Sequence, residues 1–572
     1  MEEYIKYLDQ TKKWISNPNL DEKVKEELLK AIEPLKVYFY DSLDFGTAGL
    51  RGIMRPGTNS MNVHVIMQAT QGLANLINEE KGQDRGVVIS YDSRNNSRKF
   101  AEAAASVLAA ANIRTYFFDE LHPVPLLSFA VRELNCLAGI MITASHNPKE
   151  YNGYKVYWED GAQLPPEHAK KVSGYIHSLD IFEDIKAVDF DKACQEGKIE
   201  IIGNDFDEKY FAEVMKQQAN PDVVGEVADT FKLVYTPLHG SGYRLVPEVL
   251  RRIGFKAENI LTVPEQMILD GDFPTVEKPN PEFKSSFNLG LEIAKKENCD
   301  LIIGTDPDAD RMGIMLRKPD GEYITITGNQ AGALMLDYII KNRREKGTLP
   351  ANAYAVKSLV STSLCDKICE KNNVKMYNVF TGFKFIGEKI KEVGEKDYIF
   401  GFEESYGYLA GTYARDKDAV YAAMIIAEMA AFYKTKNMSL YDALEGLYKE
   451  YGYIFNTNVT IRKEGVTAQE DMKKSMANLR ENLPKQIAGI DVLKVTDYKD
   501  GIITNLKTGE KTNSELKDSN IIYFDMEDGS VLIARPSGTE PLIKVYFSIP
   551  AENEEKAIEK FESYKEVLTK ML

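Results

Sequence analysis

The chain has 572 residues, of which 44% are hydrophobic and 28% charged, and its formal net charge is −16. This length requires about three to five domains, and the composition is typical of globular proteins, which excludes collagen-like and disordered chains. The negative charge disfavours nucleic acid and anionic membranes as main partners, because both bind basic surfaces.

The amino terminus and the cysteines indicate the cellular compartment. The first residues, MEEYIKYLDQTKKW, lack the basic start and the apolar stretch of a secretory signal. The most apolar stretch begins at Ala419, is interrupted by Glu428 and is too short to span a bilayer. Five cysteines over such a length disfavour a disulfide framework, and we expect Cys365 and Cys369 to be core thiols rather than metal ligands. These features predict a cytoplasmic protein.

Short apolar runs that end in polar loops recur along the chain. Four of these junctions are GIMIT–ASHNP, DLIIGT–DPDADR, YIFGF–EESYG and VLIAR–PSGTEP. We predict α/β units with ligands at the carboxyl ends of the strands, each loop being followed by a helix. After the fourth loop LIKVYF predicts another strand, with a helix only from Glu554. KLVYT–PLHGSG predicts a further strand-loop-helix start, and we expect linkers near residues 205–225, 320–328 and 452–460.

The segment TASHNP places a serine at a strand-to-loop corner. Ser145 there can act as a nucleophile or phosphoryl carrier if a cation neutralises the phosphoryl oxygens. His146 is a candidate for acid-base work, although a structural histidine would be more common. Lys155, in the segment YNGYKVYW, follows ten residues later and could equally be a surface lysine on a strand.

The segment DPDADR at residues 306–311 places three carboxylates two residues apart on a tight loop. Asp306, Asp308 and Asp310 can converge on one Mg²⁺, which prefers oxygen ligands, while Arg311 could help to hold a phosphoryl group. An EF-hand is excluded, because positions six and twelve are arginines rather than Gly and Glu. An aspartyl-phosphate motif would need Thr or Val where Asp310 stands. A solvated acidic turn is the remaining alternative.

Three later segments carry groups that suit sugars and phosphates. EES at 403–405 could bind neighbouring sugar hydroxyls, although any acidic turn can look like this. RDKD at 415–418 adds Arg415 and Lys417, with a solvated charged turn as the alternative. RPSGTEP at 535–541 can surround a phosphate with a guanidinium, hydroxyls and backbone N–H groups.

Together these segments resemble the α-D-phosphohexomutase superfamily. Its members carry a TxSHNP loop, a DxDxDR loop, an ExS loop and an RxSGTEP loop in this order, and the similarity runs from FGTAGLRG at Phe45 to Arg535. The resemblance implies three related α/β domains with mixed sheets and a smaller α+β carboxy-terminal domain around a central cleft. The implied domains are a phosphoserine-loop domain, a metal-binding domain, a sugar-binding domain and a phosphate-binding domain at residues 1–210, 211–325, 326–455 and 456–572.

The resemblance also implies residue roles. Ser145 would carry a phosphoryl group and join Asp306, Asp308 and Asp310 in binding one Mg²⁺. Proton transfer or charge stabilisation would fall to Arg51, His146, Lys155 and Lys417. The sugar would be bound by Glu403 and Ser405 and, in its alternative orientation, by the TGFK segment, which comprises Thr381, Gly382, Phe383 and Lys384. The non-reacting phosphate would be bound by Arg535, Ser537, Gly538 and Thr539.

The implied activity is transfer of a phosphoryl group between two positions of a sugar through a hexose 1,6-bisphosphate. Pro307, Ala309 and the EESYG segment resemble the long branch of phosphoglucomutases and phosphopentomutases, which favours glucose phosphate and leaves pentose or mannose phosphate as alternatives. A Mg²⁺-dependent sugar phosphatase and a non-catalytic sugar-phosphate sensor are the rival classes, but a sensor would be expected to lose Ser145 or the aspartates. Monomer and dimer are both open.

Overall fold

The computed structural model describes residues 2–18, 20–30, 35–39, 41–46, 49–465, 467–537 and 540–572. The chain forms two compact units. The first unit comprises Met1–Ile326, Ile390–Glu395 and Tyr406–Ser439, and the second comprises Thr327–Lys389, Lys396–Ser405 and Leu440–Leu572.

The first sheet of the first unit has six strands in the order β1-β5-β4-β2-β3-β6. Strands β2, β3, β4 and β6 run parallel, and β5 and β1 are antiparallel to their neighbours. Every residue of β2, β3 and β4 is buried, as expected for strands covered by helices on both faces. The strands are β1 Gly49–Ile53, β2 Val87–Tyr91, β3 Thr115–Phe118, β4 Ala138–Ile142, β5 Tyr151–Trp158 and β6 Ile199–Ile202. The helices are α1 Glu2–Ile15, α2 Glu22–Lys30, α3 Leu35–Phe39, α4 Val63–Glu79, α5 Ser97–Ala110, α6 Val124–Glu133, α7 Pro166–Ser178, α8 Phe190–Gln195 and α9 Asn204–Met215.

The second sheet of this unit repeats the same mixed pattern with five strands, β11-β10-β9-β7-β8. Strands β7, β8 and β9 are parallel, whereas β10 and β11 are antiparallel. The strands are β7 Leu233–Thr236, β8 Ile260–Thr262, β9 Leu301–Thr305, β10 Met312–Arg317 and β11 Tyr323–Thr325. The helices are α10 Val223–Val227, α11 Gly242–Arg252, α12 Pro264–Met267, α13 Asn288–Glu297 and two short 3₁₀ turns at Ala257–Asn259 and Lys284–Phe287.

A long apolar helix, α17 at Ala419–Thr435, packs against α10 and α11 in the first unit. It is buried on almost every side, and Asp418 caps its amino terminus by accepting a hydrogen bond from the Tyr421 backbone N–H. Within it Glu428 accepts hydrogen bonds from the backbone N–H groups of Ala219 and Asn220, which explains how a carboxylate can lie there. Among the described residues no helix is long and apolar enough to cross a membrane.

The second unit contains a parallel sheet and an antiparallel one. The parallel strands β12 Tyr354–Ser358, β13 Lys375–Val379 and β14 Tyr398–Glu403 have the order β13-β12-β14. Helix α14 begins with a capping box formed by Thr327 and Gln330. The remaining elements of this region are α14 Gly328–Glu345, α15 Leu364–Lys371, α16 Phe383–Val393, α18 Leu440–Tyr451, a 3₁₀ turn at Glu395–Asp397 and the strand β15 Gly407–Leu409, whose residues belong to the first unit.

The carboxy-terminal region is an antiparallel sheet with two helices. Its strand order is β16-β23-β22-β21-β18-β19-β20, with β17 paired to β18. The strands are β16 Tyr453–Arg462, β17 Gln486–Ile487, β18 Ile490–Asp497, β19 Ile502–Asn505, β20 Lys511–Asn513, β21 Ile522–Met526, β22 Val531–Pro536 and β23 Leu542–Ala551. The helices are α19 Ala468–Glu481 and α20 Glu554–Met571, and they share one apolar core with the sheet.

The mixed α/β sheets and the smaller carboxy-terminal α+β region confirm the predicted fold class. Cys365 and Cys369 are free and buried, as predicted. One sequence prediction was wrong. The first three polar loops are followed by the strands β5, β10 and β15 rather than by helices, because the chain reverses there, and β5 and β10 pair antiparallel to the strands that precede their loops. The segments expected to be linkers contain regular elements, namely α9 and the start of α10, β11, and most of β16, and the domain boundaries there stay a prediction.

Candidate active site

The serine loop, residues 143–148, connects β4 to β5. Ser145 lies in the left-handed backbone region with a φ of 52°. Its backbone N–H donates to Thr143 Oγ1 at 2.8 Å, and Thr143 Oγ1 in turn donates to Asp92 Oδ2 at 2.7 Å. A buried side-chain network below the loop therefore fixes the corner at which the serine stands.

Arg94 holds the same loop from outside. Its guanidinium donates to the carbonyl oxygens of Ser145, of Asn147 at 2.6 Å, of Pro148 at 2.9 Å and of Tyr151 at 3.1 Å. It also forms a buried ion pair with Asp92, 3.2 Å from Arg94 Nε to Asp92 Oδ2.

The aspartate loop, residues 306–311, connects β9 to β10. Asp306 Oδ1 accepts the backbone N–H groups of Asp310 at 3.1 Å and of Arg311 at 2.9 Å, so the loop closes on its own first side chain. The other oxygen, Asp306 Oδ2, accepts the hydroxyl hydrogen bond of Ser145 at 2.7 Å. The structure thus brings the predicted phosphoryl carrier against the predicted metal loop, although 161 residues separate Ser145 from Asp306.

The three aspartates suit a hard cation. One carboxylate oxygen of each lies within 4.8 Å of the others, and all three residues are buried. Asp308 Oδ1 and Asp310 Oδ1 are buried without a hydrogen-bond donor among the described residues, an arrangement that is costly unless a cation binds them. Burial and then the charges of Asp308 and Asp310 raise the pKa of Asp306 well above its ordinary value. These observations exclude the solvated acidic turn.

Two lysines compensate the carboxylates. Lys155 Nζ lies 2.8 Å from Asp308 Oδ2 and 3.5 Å from Asp310 Oδ2, and Lys417 Nζ lies 3.1 Å from Asp310 Oδ2. Burial alone would lower the pKa of Lys155, but Asp308 and Asp310 outweigh it and raise that pKa. Burial alone would raise the pKa of Asp310, yet Lys417 and Lys155 hold it below its ordinary value. Lys155 is therefore not a surface lysine.

The RDKD segment is buried rather than a solvated turn, since all four of its residues are at most 8% exposed. Asp416 holds Lys417 by accepting from its Nζ at 2.9 Å, and it accepts the hydroxyl of Tyr157 at 2.8 Å. The Arg415 guanidinium binds Glu395 and the carbonyl oxygen of Thr412, the latter at 2.7 Å.

Three further predicted residues lie around the serine. His146 Nδ1 is 3.1 Å from Ser145 Oγ, and burial together with the charges of Arg311 and Arg51 lowers its pKa to about 2. Arg51, on β1, donates to Asn147 Oδ1 at 3.2 Å. Arg311 Nε lies 3.9 Å from Asp310 Oδ1.

In the second unit the EES segment contacts the TGFK segment. Glu403 is buried and its Oε1 accepts the backbone N–H of Gly382 at 2.7 Å. Thr381 and Ser405 are half-buried, and Phe383 begins α16. Burial lowers the pKa of Lys384, whose Nζ lies 4.9 Å from the centre of the Phe385 ring.

The RPSGTEP segment lies between β22 and β23. Arg535 is paired with Lys544 across these strands, and the hydroxyl of Ser537 accepts the backbone N–H of Glu540 at 3.2 Å. Burial, followed by the charge of Glu404, raises the pKa of Tyr546 to about 12, whereas the nearby Arg535 opposes this rise. Gly538 and Thr539 lie outside the described residues.

Sequence reasoning missed the residues that hold the site together: Asp92, Arg94, Thr143 and Asp416. Asp92 and Arg94 belong to the segment SYDSR at the carboxyl end of β2, directly after a buried apolar run. Charged residues at such a strand end are the signal that could have indicated them.

Comparisons with known proteins match this architecture along most of the chain. The family models of phosphoglucomutase/phosphomannomutase match as alpha/beta/alpha domain I at residues 42–181, domain II at 208–321, domain III at 327–451 and the C-terminal domain at 476–562.

Curated relatives and solved structures agree with these models. A phosphoglucomutase of Staphylococcus saprophyticus is 36% identical over 552 residues, which are 95% of this chain and 98% of the relative. One from Staphylococcus aureus strain N315 is 37% identical over 513 residues, 89% of this chain and 90% of the relative.

Among solved structures, the phosphoglucomutase parafusin of Paramecium has a TM-score of 0.70 at 18% identity and covers 93% of this chain and 95% of its own. A phosphoglucomutase/phosphomannomutase family protein of Burkholderia thailandensis has a TM-score of 0.66 at 16% identity, with coverages of 92% and 97%. These two likenesses concern the fold. With four family domains matched in order and relatives above one third identity over nearly the full length, the chain belongs to the phosphoglucomutase/phosphomannomutase family within the α-D-phosphohexomutase superfamily.

Proposed function

We propose that the protein is a phosphoglucomutase that interconverts glucose 1-phosphate and glucose 6-phosphate through phosphorylated Ser145 and a bound glucose 1,6-bisphosphate. The observation that carries this proposal is the 2.7 Å hydrogen bond from Ser145 Oγ to Asp306 within a buried cluster of three aspartates. The name borne by the staphylococcal relatives supports glucose as the sugar.

One Mg²⁺, held by Asp306, Asp308, Asp310 and an oxygen of phosphorylated Ser145, would supply positive charge to neutralise the phosphoryl oxygens. Asp308 Oδ1 and Asp310 Oδ1, which accept no hydrogen bond among the described residues, supply ligand atoms that such a cation needs. Lys417 and Lys155 hold the pKa of Asp310 below its ordinary value and add positive charge next to the transferred group.

The phosphoryl group passes from Ser145 to the free hydroxyl of the sugar phosphate, which must lose its proton as the new O–P bond forms. His146 is the candidate for proton transfer by its position, with Nδ1 3.1 Å from Ser145 Oγ, but its low pKa makes it a weak base. Arg51 and Arg311 would stabilise the charge that develops on the phosphoryl oxygens. The bisphosphate then reorients and returns its other phosphoryl group to Ser145.

Sugar- and phosphate-binding roles are proposed for further residues of the chain. Glu403 and Ser405 suit two neighbouring sugar hydroxyls, and the contact between Glu403 and Gly382 supports a role for Thr381, Phe383 and Lys384 in the alternative orientation. Arg415 of the RDKD segment, whose guanidinium pairs with Glu395, would also bind the substrate. The non-reacting phosphate would be bound by Arg535, Ser537, Gly538 and Thr539.

We further propose that the four functional domains occupy residues 1–210, 211–325, 326–455 and 456–572, and that the protein works in the cytoplasm on small sugar phosphates. The feature that supports this location is the set of five free cysteines.

A coupled assay tests the proposal. The purified protein is supplied with Mg²⁺ and compared on glucose 1-phosphate, mannose 1-phosphate and ribose 1-phosphate, with and without a trace of glucose 1,6-bisphosphate. We expect the highest kcat/KM for glucose 1-phosphate, stimulation by the bisphosphate and no release of inorganic phosphate.

The other outcomes separate the alternatives. A higher kcat/KM for ribose 1-phosphate or mannose 1-phosphate would reassign the sugar within the same mechanism. Stoichiometric release of inorganic phosphate would instead identify a phosphatase and reject transfer to a sugar hydroxyl.

A further inference from the structure

The arginine beneath the serine loop makes an unusual set of contacts for a residue with no place in the proposed chemistry. Arg94 is 3% exposed, and its guanidinium donates to four backbone carbonyl oxygens, that of the serine itself and those of three residues after it. Each of these acceptors belongs to the serine loop or to the first residues that follow it. A single side chain thus determines the path of the backbone from Ser145 to Tyr151.

The charge of Arg94 is balanced within the same network. Asp92 pairs with Arg94 and also accepts hydrogen bonds from Thr143 Oγ1 and from Ser97 Oγ, the latter at 2.7 Å. The loop is therefore held from two directions, by the guanidinium at its carbonyl groups and by Thr143 at the backbone N–H of Ser145.

An aromatic ring from the segment between α12 and the 3₁₀ turn at Lys284–Phe287 covers one face of the Arg94 guanidinium. The Phe273 ring centre lies 5.0 Å from Arg94 Cζ, within the range of a cation–π interaction. His239 fixes the segment that carries this ring, with its Nδ1 2.8 Å from the carbonyl oxygen of Ile268 and its Nε2 2.8 Å from Thr275 Oγ1. Through Arg94 and Phe273 the serine loop is thus connected to the region of the second sheet, which also carries the aspartate loop.

We propose that Arg94 is the positioning residue that holds Ser145 Oγ against the aspartate loop, and that Phe273 fixes Arg94 for this purpose. The inference rests on the proposed function, because it assigns the geometry of the phosphoryl carrier. Arginine suits the role through its planar fork of five N–H donors, whereas the three donors of a lysine diverge from one point and cannot follow a bent backbone.

The test uses Arg94→Lys in the full-length protein, which keeps the charge next to Asp92 and removes the fork. A displacement of the carrier by about 1 Å costs about 100-fold in kcat when the reacting groups must be aligned. We expect this loss in kcat, while KM for glucose 1-phosphate and the affinity of the aspartates for Mn²⁺, followed by electron paramagnetic resonance, change by less than about threefold. Single-turnover transfer from phosphorylated Ser145 should slow by the same factor as kcat.

Two companion variants complete the design. Arg114→Lys is the matched control, because Arg114 directly precedes β3 of the first sheet, is exposed and pairs with Glu200 rather than with the serine loop; its kcat should equal that of the parent. Phe273→Leu leaves Arg94 in place and removes the ring face, so it should reduce kcat less than Arg94→Lys does, at unchanged KM. If Arg94→Lys does not fold, the kcat of Phe273→Leu alone tests the role of Arg94.

A folded Arg94→Lys protein with the kcat of the parent overturns the inference. So does a variant in which KM, Mn²⁺ affinity and kcat all deteriorate together, because that pattern indicates a general disturbance of the site. If Arg94→Lys does not fold, an unchanged kcat in Phe273→Leu overturns it. A parent protein that neither interconverts sugar phosphates nor carries a phosphoserine rejects the proposed function, and this inference with it, whereas the outcomes above leave the proposed function standing.

Discussion

The serine loop and the aspartate loop have the same local architecture but are stabilised by different side chains. Each follows a buried parallel strand, precedes an antiparallel one and contains a non-glycine residue in the left-handed region, Ser145 at φ 52° and Ala309 at φ 48°. The guanidinium of Arg94, outside the serine loop, binds carbonyl groups of that loop, and Asp92 binds its Thr143. In the aspartate loop the first carboxylate, Asp306, accepts two backbone N–H groups of the same loop. Backbone N–H groups of other segments bind the carbonyl oxygens of Pro307, Asp308 and Ala309.

This difference separates two chemical tasks. Because Arg94 fixes the backbone of the serine loop, the hydroxyl of Ser145 is not needed to hold that backbone and can exchange a phosphoryl group. Because Asp306 binds the backbone of the aspartate loop, Asp308 Oδ1 and Asp310 Oδ1 can remain without a hydrogen bond and serve a cation, at the cost of electrostatic repulsion among three buried carboxylates. The comparison predicts that mutations in the first loop affect transfer, whereas mutations in the second also affect stability.

The largest effect is expected from Ser145→Ala, which removes the carrier and leaves the outside supports in place. Turnover should be abolished, while the free energy of unfolding changes by less than about 1 kcal/mol. Intact-mass analysis after incubation with glucose 1,6-bisphosphate should show one phosphoryl group on the parent and none on the variant. Ser178→Ala, at an exposed site, is the control. Residual turnover at the level of the parent would contradict the role of Ser145.

The second test concerns the repulsion in the aspartate loop. Asp306→Asn keeps the shape of the side chain and removes one charge, so the metal-free variant should be more stable than the metal-free parent by about 1 kcal/mol at neutral pH. With Mg²⁺ the order should reverse, because saturation at 100 times Kd stabilises the parent by about 2.7 kcal/mol and the variant binds the ion poorly. Thermal unfolding of parent and variant, once with EDTA and once with Mg²⁺, measures the stability difference in the metal-free and in the metal-bound state.

The stability difference between the metal-free Asp306→Asn variant and the metal-free parent should increase with pH. The folded-state pKa of Asp306 is raised above its ordinary value of 3.8, so the parent loses stability as pH rises from about 4 through the folded-state pKa. The advantage of metal-free Asp306→Asn should therefore be absent below about pH 4 and grow as pH increases. An advantage that is equal at acidic and neutral pH would show that repulsion is not its cause.

An intermediate effect is expected at Asp416, which orients Lys417 without belonging to either loop. Asp416→Asn keeps an acceptor for Tyr157 and removes the charge that pairs with Lys417, so kcat should fall about 10-fold, as for other partners that orient an active-site group. Asp300→Asn is the matched control, because Asp300 pairs with Lys434 away from both loops. Equal kcat in the two variants would remove Asp416 from the site.

The smallest effect is expected at Ala309. Ala309→Gly relieves the left-handed strain and loses one buried methyl group, terms of about 1 kcal/mol each that oppose one another, so stability and kcat should hardly change. Ala309→Val should instead destabilise by about 2 kcal/mol or more, since a branched side chain fits this backbone poorly. Denaturant unfolding of the pair tests whether the left-handed turn exists in solution.

Much of the fold and part of the site could be predicted from the sequence. Short apolar runs that end in DPDADR or TASHNP carry both the strand and its chemistry within a few residues, so the α/β class and the candidate aspartates and serine were visible locally. The reversal into β5 and β10 was not predicted. Both strands pair antiparallel with the strand directly before their loop, and a short polar loop after an apolar run looks the same in sequence whether a strand or a helix follows it.

The residues that hold the site together could not be predicted, because their contacts are with residues distant in sequence. The RDKD segment has the composition of a solvated turn, and it is buried only because Tyr157 and Asp310, remote in sequence, provide partners for Asp416 and Lys417. Arg94 likewise has no local pattern that indicates its acceptors, which are backbone oxygens more than 50 residues away.

The left-handed backbone at Ser145 restricts the mutations that evolution can accept at this position. Threonine offers the same hydroxyl and differs by one methyl group, but a β-branched residue is a steric outlier in this region of backbone space. A change to threonine would therefore require a second mutation that alters the conformation of the turn, so that neither change would be tolerated alone. The backbone at position 145 therefore favours serine over threonine on stereochemical grounds, independently of the reactivity of either hydroxyl.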